Sequence, residues 1–146
     1  MNKRVYLATP VGDPGTPERS VAQYVKDVLE SKGFTVYAPW EMHIPHAWDY
    51  TNAEWGLMVF SRDMHELEAC DFAVVISYGR NCTAGTAWEQ GFLYGIGKKI
   101  LVVEADGVDL MSIMVSNGCW ARIPMEYLPR YDFENLPRFR TTTEQK

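Results

Sequence analysis

The chain has 146 residues, a formal net charge of −5 and a sequence pI of about 5.2. This charge argues against a nucleic-acid-binding surface, which neutralises phosphates with clustered Lys and Arg, because the basic residues here are scattered. Three cysteines without a CxxC spacing argue against a disulfide framework or a structural zinc site. The apolar run near the start is too short for a secretion signal, and no stretch approaches a membrane span. We therefore expect a cytoplasmic protein with reduced cysteines.

Strand and helix patterns alternate along the chain without repeats or linkers, which predicts one domain over residues 1–146. The alternation predicts an α/β fold, a flavodoxin-like or Rossmann-like three-layer sandwich with a five-stranded, mostly parallel sheet. The predicted strands are Arg4–Thr9, Phe34–Pro39, Asp71–Ser77, Lys99–Glu104 and Cys119–Ile123. The predicted helices are Arg19–Gly33, Asn52–Ala69, one that begins near Thr86 and ends at residues 95–99, and a short one around residues 109–117.

Apolar residues at spacings of three and four predict the buried faces of the first two helices. The first face consists of Val21, Tyr24, Val25, Val28 and Leu29, and the second of Ala53, Leu57, Phe60, Met64 and Leu67. Gly33 is expected to end the first helix, because glycine readily adopts the left-handed conformation found there.

The segment Tyr78–Thr86 follows the third predicted strand, and in parallel sheets ligands bind at the carboxyl ends of the strands. The segment leads into a helix N-terminus, where unpaired backbone N–H groups favour anions. Glu89 lies one turn inside that helix. Its spacing from Thr86 matches a capping box, in which the Glu side chain binds the backbone N–H of the cap residue. A helix cap and a ligand-facing carboxylate are both consistent with this pattern.

The stretch "AGTAWEQGFLYGIGKKILVV" resembles the G-T-x-x-E-x-G signature of the nucleoside 2-deoxyribosyltransferase family, whose Glu is the nucleophile. The stretches "VYLATP", "SRDMHELEACD" and "DLMSIMVSNG" follow the order of further family motifs. Asp63 stands eight residues before Asp71 and Glu89 eighteen after it, which matches the family without a gap. The resemblance implies an enzyme that exchanges the base of a 2′-deoxyribonucleoside and needs no cofactor. Nucleosides and free nucleobases are the expected partners, with no nucleic acid and no membrane.

The chemistry of this family requires these residue types. Breaking an N-glycosidic bond develops positive charge at C1′ and negative charge on the departing base, so one carboxylate near the sugar and one proton donor near the base are the minimum. The resemblance implies that Glu89 attacks C1′, that Asp63 handles the proton of the base and that Tyr6 orients the nucleophile. From the residues alone, a solvated helix carboxylate is an equally good interpretation of Asp63. An ordinary buried strand aromatic is an equally good interpretation of Tyr6.

Substrate-binding residues also follow from the resemblance. It places Gly85 and Met111 at the substrate. Asp109 stands where "DLMS" resembles a family "NLMS", whose Asn reaches into the site of a neighbouring subunit and holds the sugar 5′-hydroxyl. The resemblance therefore implies a homo-oligomer with shared active sites. The alternative for Asp109 is an N-cap for a helix that begins at Leu110.

Two residues favour a related activity. Where family transferases usually carry Asp, this chain has Thr83, and the related 2′-deoxynucleoside 5′-monophosphate N-glycosidases carry a phosphate-binding Ser there. Ser112 can be matched to a second phosphate-binding Ser of these hydrolases. A carboxylate at Asp109 would instead repel a 5′-phosphate, which favours the transferase. A hydrolase remains the alternative, and a nucleotide-binding sensor without turnover is an alternative of another class.

Aromatic residues beside the strand ends are expected to contact the base. Trp40, Trp48 and Tyr78 are predicted to form a stacking wall, and packing between subunits is an equal alternative for the two tryptophans. The pair His43-x-x-His46 could be drawn as metal ligands, but it lies in a proline-containing loop without helical i, i+4 spacing. No metal is expected.

Overall fold

A five-stranded sheet with helices on both faces forms the framework of the protein. The computed structural model describes residues 2–10, 12–78, 83–105 and 112–138. The strands are β1 (Arg4–Ala8), β2 (Thr35–Tyr37), β3 (Phe72–Ser77), β4 (Ile100–Glu104) and β5 (Ala121–Pro124), and the helices are α1 (Pro17–Ser31), α2 (Asn52–Ala69), α3 (Ala84–Gly95) and α4 (Ile113–Asn117). Within the described ranges, no helix combines the length and apolar character that crossing a membrane requires.

The strand order is β2-β1-β3-β4-β5, and each neighbouring pair is parallel. Strand β2 pairs with one edge of β1, and β3 pairs with the opposite edge of β1. The direction in which the chain adds strands therefore reverses after β2. This reversal opens a crevice between the loops that leave β1 and β3, which is the usual ligand position in such sheets. The structure confirms the predicted α/β three-layer fold and shows that the sheet is parallel throughout the described residues.

Alternate side chains of the strands serve two separate cores. In β1, Val5 and Leu7 face the layer that contains α1, where they pack in one cluster with Leu29. Tyr6 and its neighbour Ala8 face the layer of α2 and α3. Because the central strands are covered on both faces, their sequences read as continuous apolar runs rather than as alternating patterns.

Helix α1 begins two residues before its predicted start. The side chain of Thr16 accepts a hydrogen bond from the Arg19 N–H, and Pro17 occupies the first helical position, where its missing N–H costs nothing. The end of the helix agrees with the prediction: Gly33 has a φ of 92°, and its N–H donates to the Glu30 carbonyl at 2.9 Å. Glycine adopts this left-handed conformation without the steric cost that a Cβ atom brings.

The apolar face predicted for α2 is only partly buried, although the helix bounds agree with the prediction. Leu67 is fully buried against the sheet, whereas Leu57 is 68% and Phe60 is 42% exposed. The first half of the helix borders an open pocket rather than the sheet. Its apolar residues therefore remain accessible, and the prediction of one continuous core face was wrong for this half.

Helix α4 is held by side chains from two other elements. The Gln90 side-chain amide, on α3, donates to the carbonyls of Val115 and Gly118 at 2.7 and 2.8 Å. Arg122, on β5, donates through Nη1 to the Ser116 carbonyl at 2.9 Å. These bonds satisfy carbonyls at the C-terminal end of a helix of only five residues, which lacks the length to be stable alone.

Two of the three cysteines lie in the described part of the chain. Cys70 and Cys119 are buried free thiols. Burial raises the pKa of the Cys70 thiol, so the neutral form is favoured and the thiol is a poor nucleophile.

Because Gly33 is left-handed and Gly95 is not, we expect Gly→Ala substitutions at these two positions to change the free energy of unfolding differently. Gly33→Ala should lower the free energy of unfolding by about 1 kcal/mol, because a Cβ atom is strained at this φ. Gly95→Ala, at the last residue of α3 where a Cβ atom meets no other atom within 4 Å, should be neutral or stabilising by less than about 1 kcal/mol. Urea unfolding of both variants measures this. Equal effects of the two substitutions would contradict the prediction.

Candidate active site

A pocket of about 640 Å³ lies at the crevice between β1 and β3. Its wall is formed by Thr9 at the end of β1, by Pro39 and Met42 after β2, by one face of α2 and by the first turns of α3. This volume lies within the range of pockets that enclose small organic molecules. The strand order and the pocket together make this end of the sheet the candidate small-molecule site.

Glu89 reaches into this pocket from α3, and its carboxylate contacts the sheet. The hydroxyl of Tyr6, a fully buried residue of β1, donates a hydrogen bond to Oε2 of Glu89. Burial raises the pKa of Glu89 to about 7; the bond from Tyr6 opposes this rise, and the nearby Asp63 carboxylate adds to it. Glu89 is therefore divided between its ionised and protonated forms near neutral pH.

The capping-box interpretation of Glu89 is wrong. Helix α3 begins at Ala84, and its N-cap is Thr83, whose side chain accepts a hydrogen bond from the Thr86 N–H at 3.3 Å. Thr86 is thus a buried residue inside the helix rather than its cap. Since the cap lies three residues earlier than the pattern suggested, the Glu89 side chain is directed to the Tyr6 hydroxyl instead of the helix end.

A second carboxylate enters the pocket from α2. Asp63 is half-buried, and the hydroxyl of Tyr37, at the end of β2, donates to its Oδ1 at 2.7 Å. Burial raises the pKa of Asp63, and the hydrogen bond from Tyr37 opposes that rise. The structure therefore brings Glu89, Asp63 and the Tyr6 hydroxyl together, and Asp63 is not a fully solvated helix carboxylate.

Three aromatic residues that were not predicted as site residues stand around the two carboxylates. Trp55, Phe60 and Trp88 line the pocket, and the rings of Phe60 and Trp88 meet edge to face at 5.8 Å. Trp88 also stacks on Phe92 with an interplanar angle of 1°. Trp55 and Phe60 precede Asp63 by eight and three residues, a spacing that places all three on one helical face. This spacing was the signal available in the sequence.

Three predicted substrate-binding residues do not line this pocket. Trp40 packs on the α1 side of the sheet, with the Arg19 guanidinium 5.7 Å from its ring centre. Tyr78 packs on the same side and donates its hydroxyl to the Glu18 carbonyl at 3.2 Å. Because these two aromatic side chains turn toward α1, the prediction that they line the ligand pocket was wrong. Ser112 lines a different pocket, between α3 and α4.

The remaining predicted residues divide into two groups. Thr83 and Gly85 line the pocket. The Thr83 hydroxyl lies 2.9 Å from that of Thr86, in addition to its bond with the helix backbone. Asp109 and Met111 lie outside the described residues.

Within residues 2–10, 12–78, 83–105 and 112–138, no three His, Cys, Asp or Glu side chains are grouped as metal ligands. His43 and His46 are exposed, and their loop backbone is left-handed at His46, with a φ of 56°.

Comparison with known proteins identifies the family of this chain. A sequence model of the family described as nucleoside 2-deoxyribosyltransferase matches residues 5–127. The chain belongs to the nucleoside 2-deoxyribosyltransferase family. The match extends from β1 into the 3₁₀ turn Met125–Arg130 after β5, and therefore includes Tyr6, Asp63 and Glu89. The comparison with curated proteins finds no match.

Solved structures share the fold. The chain is similar to a 2-deoxyribosyltransferase from Bacillus psychrosaccharolyticus, with 26% identity, a TM-score of 0.83, and coverage of 93% of this chain and 97% of the other. It also resembles the CMP N-glycosidase BcmB of Clostridium botulinum, with 20% identity, a TM-score of 0.60 and coverage of 88% and 97%. A conserved protein of Enterococcus faecalis has 19% identity, a TM-score of 0.60 and coverage of 99% and 94%.

The raised pKa of Glu89 predicts that its carboxylate destabilises the folded protein above neutral pH. Between about pH 4.5 and 7 the native state retains a proton that the unfolded chain has released, so the free energy of unfolding falls as pH rises through this window. Gln cannot ionise. Glu89→Gln should therefore be more stable than the parent at pH 8, by about 1 to 3 kcal/mol, and nearly equal to it at pH 4.

Urea unfolding at the two pH values measures this difference. Glu68→Gln, which removes an exposed carboxylate from α2, is the matched control and should show no comparable change. A Glu89→Gln protein no more stable than the parent at pH 8 would contradict the assignment of a buried, destabilised carboxylate.

Proposed function

We propose that the protein is a nucleoside 2-deoxyribosyltransferase, which exchanges the base of a 2′-deoxyribonucleoside through a covalent deoxyribosyl-glutamate. The observation that carries the proposal is the pairing of two carboxylates in one pocket, each held by a tyrosine hydroxyl. Glu89 takes the role of nucleophile and Asp63 that of proton donor and acceptor. Family membership supports both assignments.

The first half of the reaction releases the donor base. A carboxylate oxygen of Glu89 attacks C1′, the C1′–N bond breaks, and its electron pair leaves with the base. Asp63 supplies a proton to that base, so that a neutral molecule departs. The Tyr6 hydroxyl holds Glu89 by a hydrogen bond and favours its ionised form. A pKa of about 7 leaves a substantial ionised fraction at neutral pH.

The second half attaches the acceptor base. A ring nitrogen of the incoming base attacks C1′ from the face that the first base left, and the bond between C1′ and Glu89 breaks. The proton of the incoming base passes to Asp63, which restores the starting enzyme. Two displacements at C1′ retain the configuration of the donor. No step requires a metal ion or a cofactor.

The aromatic wall supports a planar base as the leaving group. Trp55, Phe60 and Trp88 present ring surfaces beside Asp63, and nucleobases stack well on such surfaces. A free acceptor base can use the same surfaces after the donor base has left. Base exchange then needs only one base position, next to one proton-handling carboxylate.

The charge around the pocket supports a nucleoside rather than a nucleotide. Among the described residues that line it, the ionisable side chains are the carboxylates of Asp63 and Glu89. A 5′-phosphate brought close to these carboxylates would be repelled. The alternative is a 2′-deoxynucleoside 5′-monophosphate N-glycosidase, which Thr83 favours by its resemblance to a phosphate-binding Ser.

We also propose a homo-oligomer in which the segment with Asp109 and Met111 completes the site of a neighbouring subunit. Apolar side chains support an interface beside this segment: Tyr94, Ile113 and Met114 are 61%, 78% and 79% exposed around the pocket between α3 and α4. Covering such residues in an assembly removes apolar surface from water.

Incubation with a 2′-deoxynucleoside and a foreign base separates the possible functions. A transferase yields the exchanged nucleoside, a hydrolase yields free base and sugar, and a sensor yields neither. We expect exchange by the parent protein, and a loss of several orders of magnitude in Glu89→Gln, because an amide is a poor nucleophile. A 2-fluoro-2-deoxynucleoside should leave a covalent sugar on the parent, visible by mass spectrometry, and none on the variant. Undiminished exchange by folded Glu89→Gln would refute the mechanism.

The 5′ substituent distinguishes the transferase from the nucleotide hydrolase. We expect a 2′-deoxynucleoside to be processed at least about tenfold faster than its 5′-monophosphate, measured as kcat/KM, because the carboxylates near the site repel the phosphate. Asp109→Ser should narrow this ratio by removing one negative charge. Faster turnover of the monophosphate by the parent would identify the protein as a hydrolase instead.

A further inference from the structure

A second tyrosine, Tyr37, acts on Asp63 from outside the pocket. It lies directly opposite Tyr6 in the parallel pairing of β1 and β2, and the two ring centres are 5.3 Å apart. Its hydroxyl is 2.7 Å from Oδ1 of Asp63, whereas its side chain does not line the pocket that holds Glu89. Each carboxylate of the site thus receives a hydroxyl from a different strand of the same sheet.

The direction of this bond determines where Asp63 carries its proton. A phenol donates its hydrogen to Oδ1, which leaves Oδ1 as an acceptor. Because the carbonyl oxygen of a carboxylic acid is a better acceptor than its hydroxyl oxygen, this bond favours the proton of a protonated Asp63 on Oδ2. Rotation of the carboxyl group about its last bond would exchange the two oxygens, and it would break the bond to Tyr37. The hydrogen bond from Tyr37 thereby makes the two oxygens of Asp63 unequal.

The groups that face Asp63 come from three other elements. They are the Tyr37 hydroxyl from β2, the Tyr6 hydroxyl from β1 and the Glu89 carboxylate from α3. On the helix of Asp63 itself, the charged residues that act on the Tyr37 hydroxyl are Arg62 and Glu66. Of these groups, the Tyr37 hydroxyl donates a hydrogen bond to Asp63, and burial raises the pKa of this phenol, which keeps it in its neutral, donating form.

We propose that Tyr37 is a positioning residue of the exchange reaction, which holds Oδ1 of Asp63 so that Oδ2 exchanges the proton with the base. This inference rests on the proposed function. It predicts a defect confined to proton transfer: substrate binding and the nucleophile Glu89 keep their own contacts when the Tyr37 hydroxyl is removed, because Tyr6 holds Glu89 independently.

Tyr37→Phe tests the inference, because it removes the hydroxyl and keeps the ring that packs on Tyr6. Tyr24→Phe, at an exposed position on α1, is the matched control. Two donors are compared: a 2′-deoxynucleoside with an ordinary base, and a 2-deoxyriboside whose dinitrophenolate leaving group needs no proton. The side-chain carboxyl carbon of Asp63 is titrated by NMR in both variants and the parent, with Asp63→Asn to assign the signal.

For Tyr37→Phe we expect kcat with the deoxynucleoside to fall about tenfold with KM nearly unchanged, and turnover of the dinitrophenyl donor to be retained. The pKa of Asp63 should rise, because the ionised carboxylate loses a donor. Equal losses with both donors, or an unchanged Asp63 titration, would overturn the inference. The titration does not depend on turnover and therefore tests the contact between Tyr37 and Asp63 by itself. A parent protein that processes neither donor would refute the proposed function.

Discussion

The hydrogen bond between Tyr6 and Glu89 is the contact on which the site depends. Tyr6 is fully buried in β1, between two paired strands, so the sheet fixes the position of its hydroxyl. Glu89 approaches from α3 and loses much of its hydration in the pocket, which costs free energy that one hydroxyl donor only partly restores. The pKa of Glu89 is raised because the loss of hydration outweighs the hydrogen bond from Tyr6. A poorly hydrated carboxylate is also a more reactive nucleophile, so in the proposed mechanism the lost stability would favour the attack of Glu89.

Rigid elements supply every group of the two carboxylate–tyrosine pairs. The tyrosines stand opposite each other on neighbouring strands, and the carboxylates come from the two helices that cover that face of the sheet. Because Tyr6 and Tyr37 share one register position, the separation between their hydroxyls follows from strand pairing rather than from loops. Groups placed in this way keep their geometry better than groups placed on loops.

Local patterns in the sequence were sufficient for the fold but only for part of the site. Continuous apolar runs at β3 and β4 and the bounds of α2 were predicted correctly, because buried strands and amphipathic helices leave periodic patterns. The cap at Thr83 was missed, since two threonines three residues apart offer equivalent cap patterns and only the tertiary contact of Glu89 decides between them. Tyr37 was missed because nothing local relates it to a helix residue twenty-six positions later.

Two adjacent residues of α3 point to different sides of the helix and make different contacts. Glu89 faces the pocket, whereas Gln90 faces away and holds α4 through two carbonyls. Adjacent residues of a helix are about 100° apart around its axis. Insertion of a single residue early in α3 would therefore turn both side chains away from their partners at once. This turn of helix should tolerate substitutions at its outer positions far better than any change in its length.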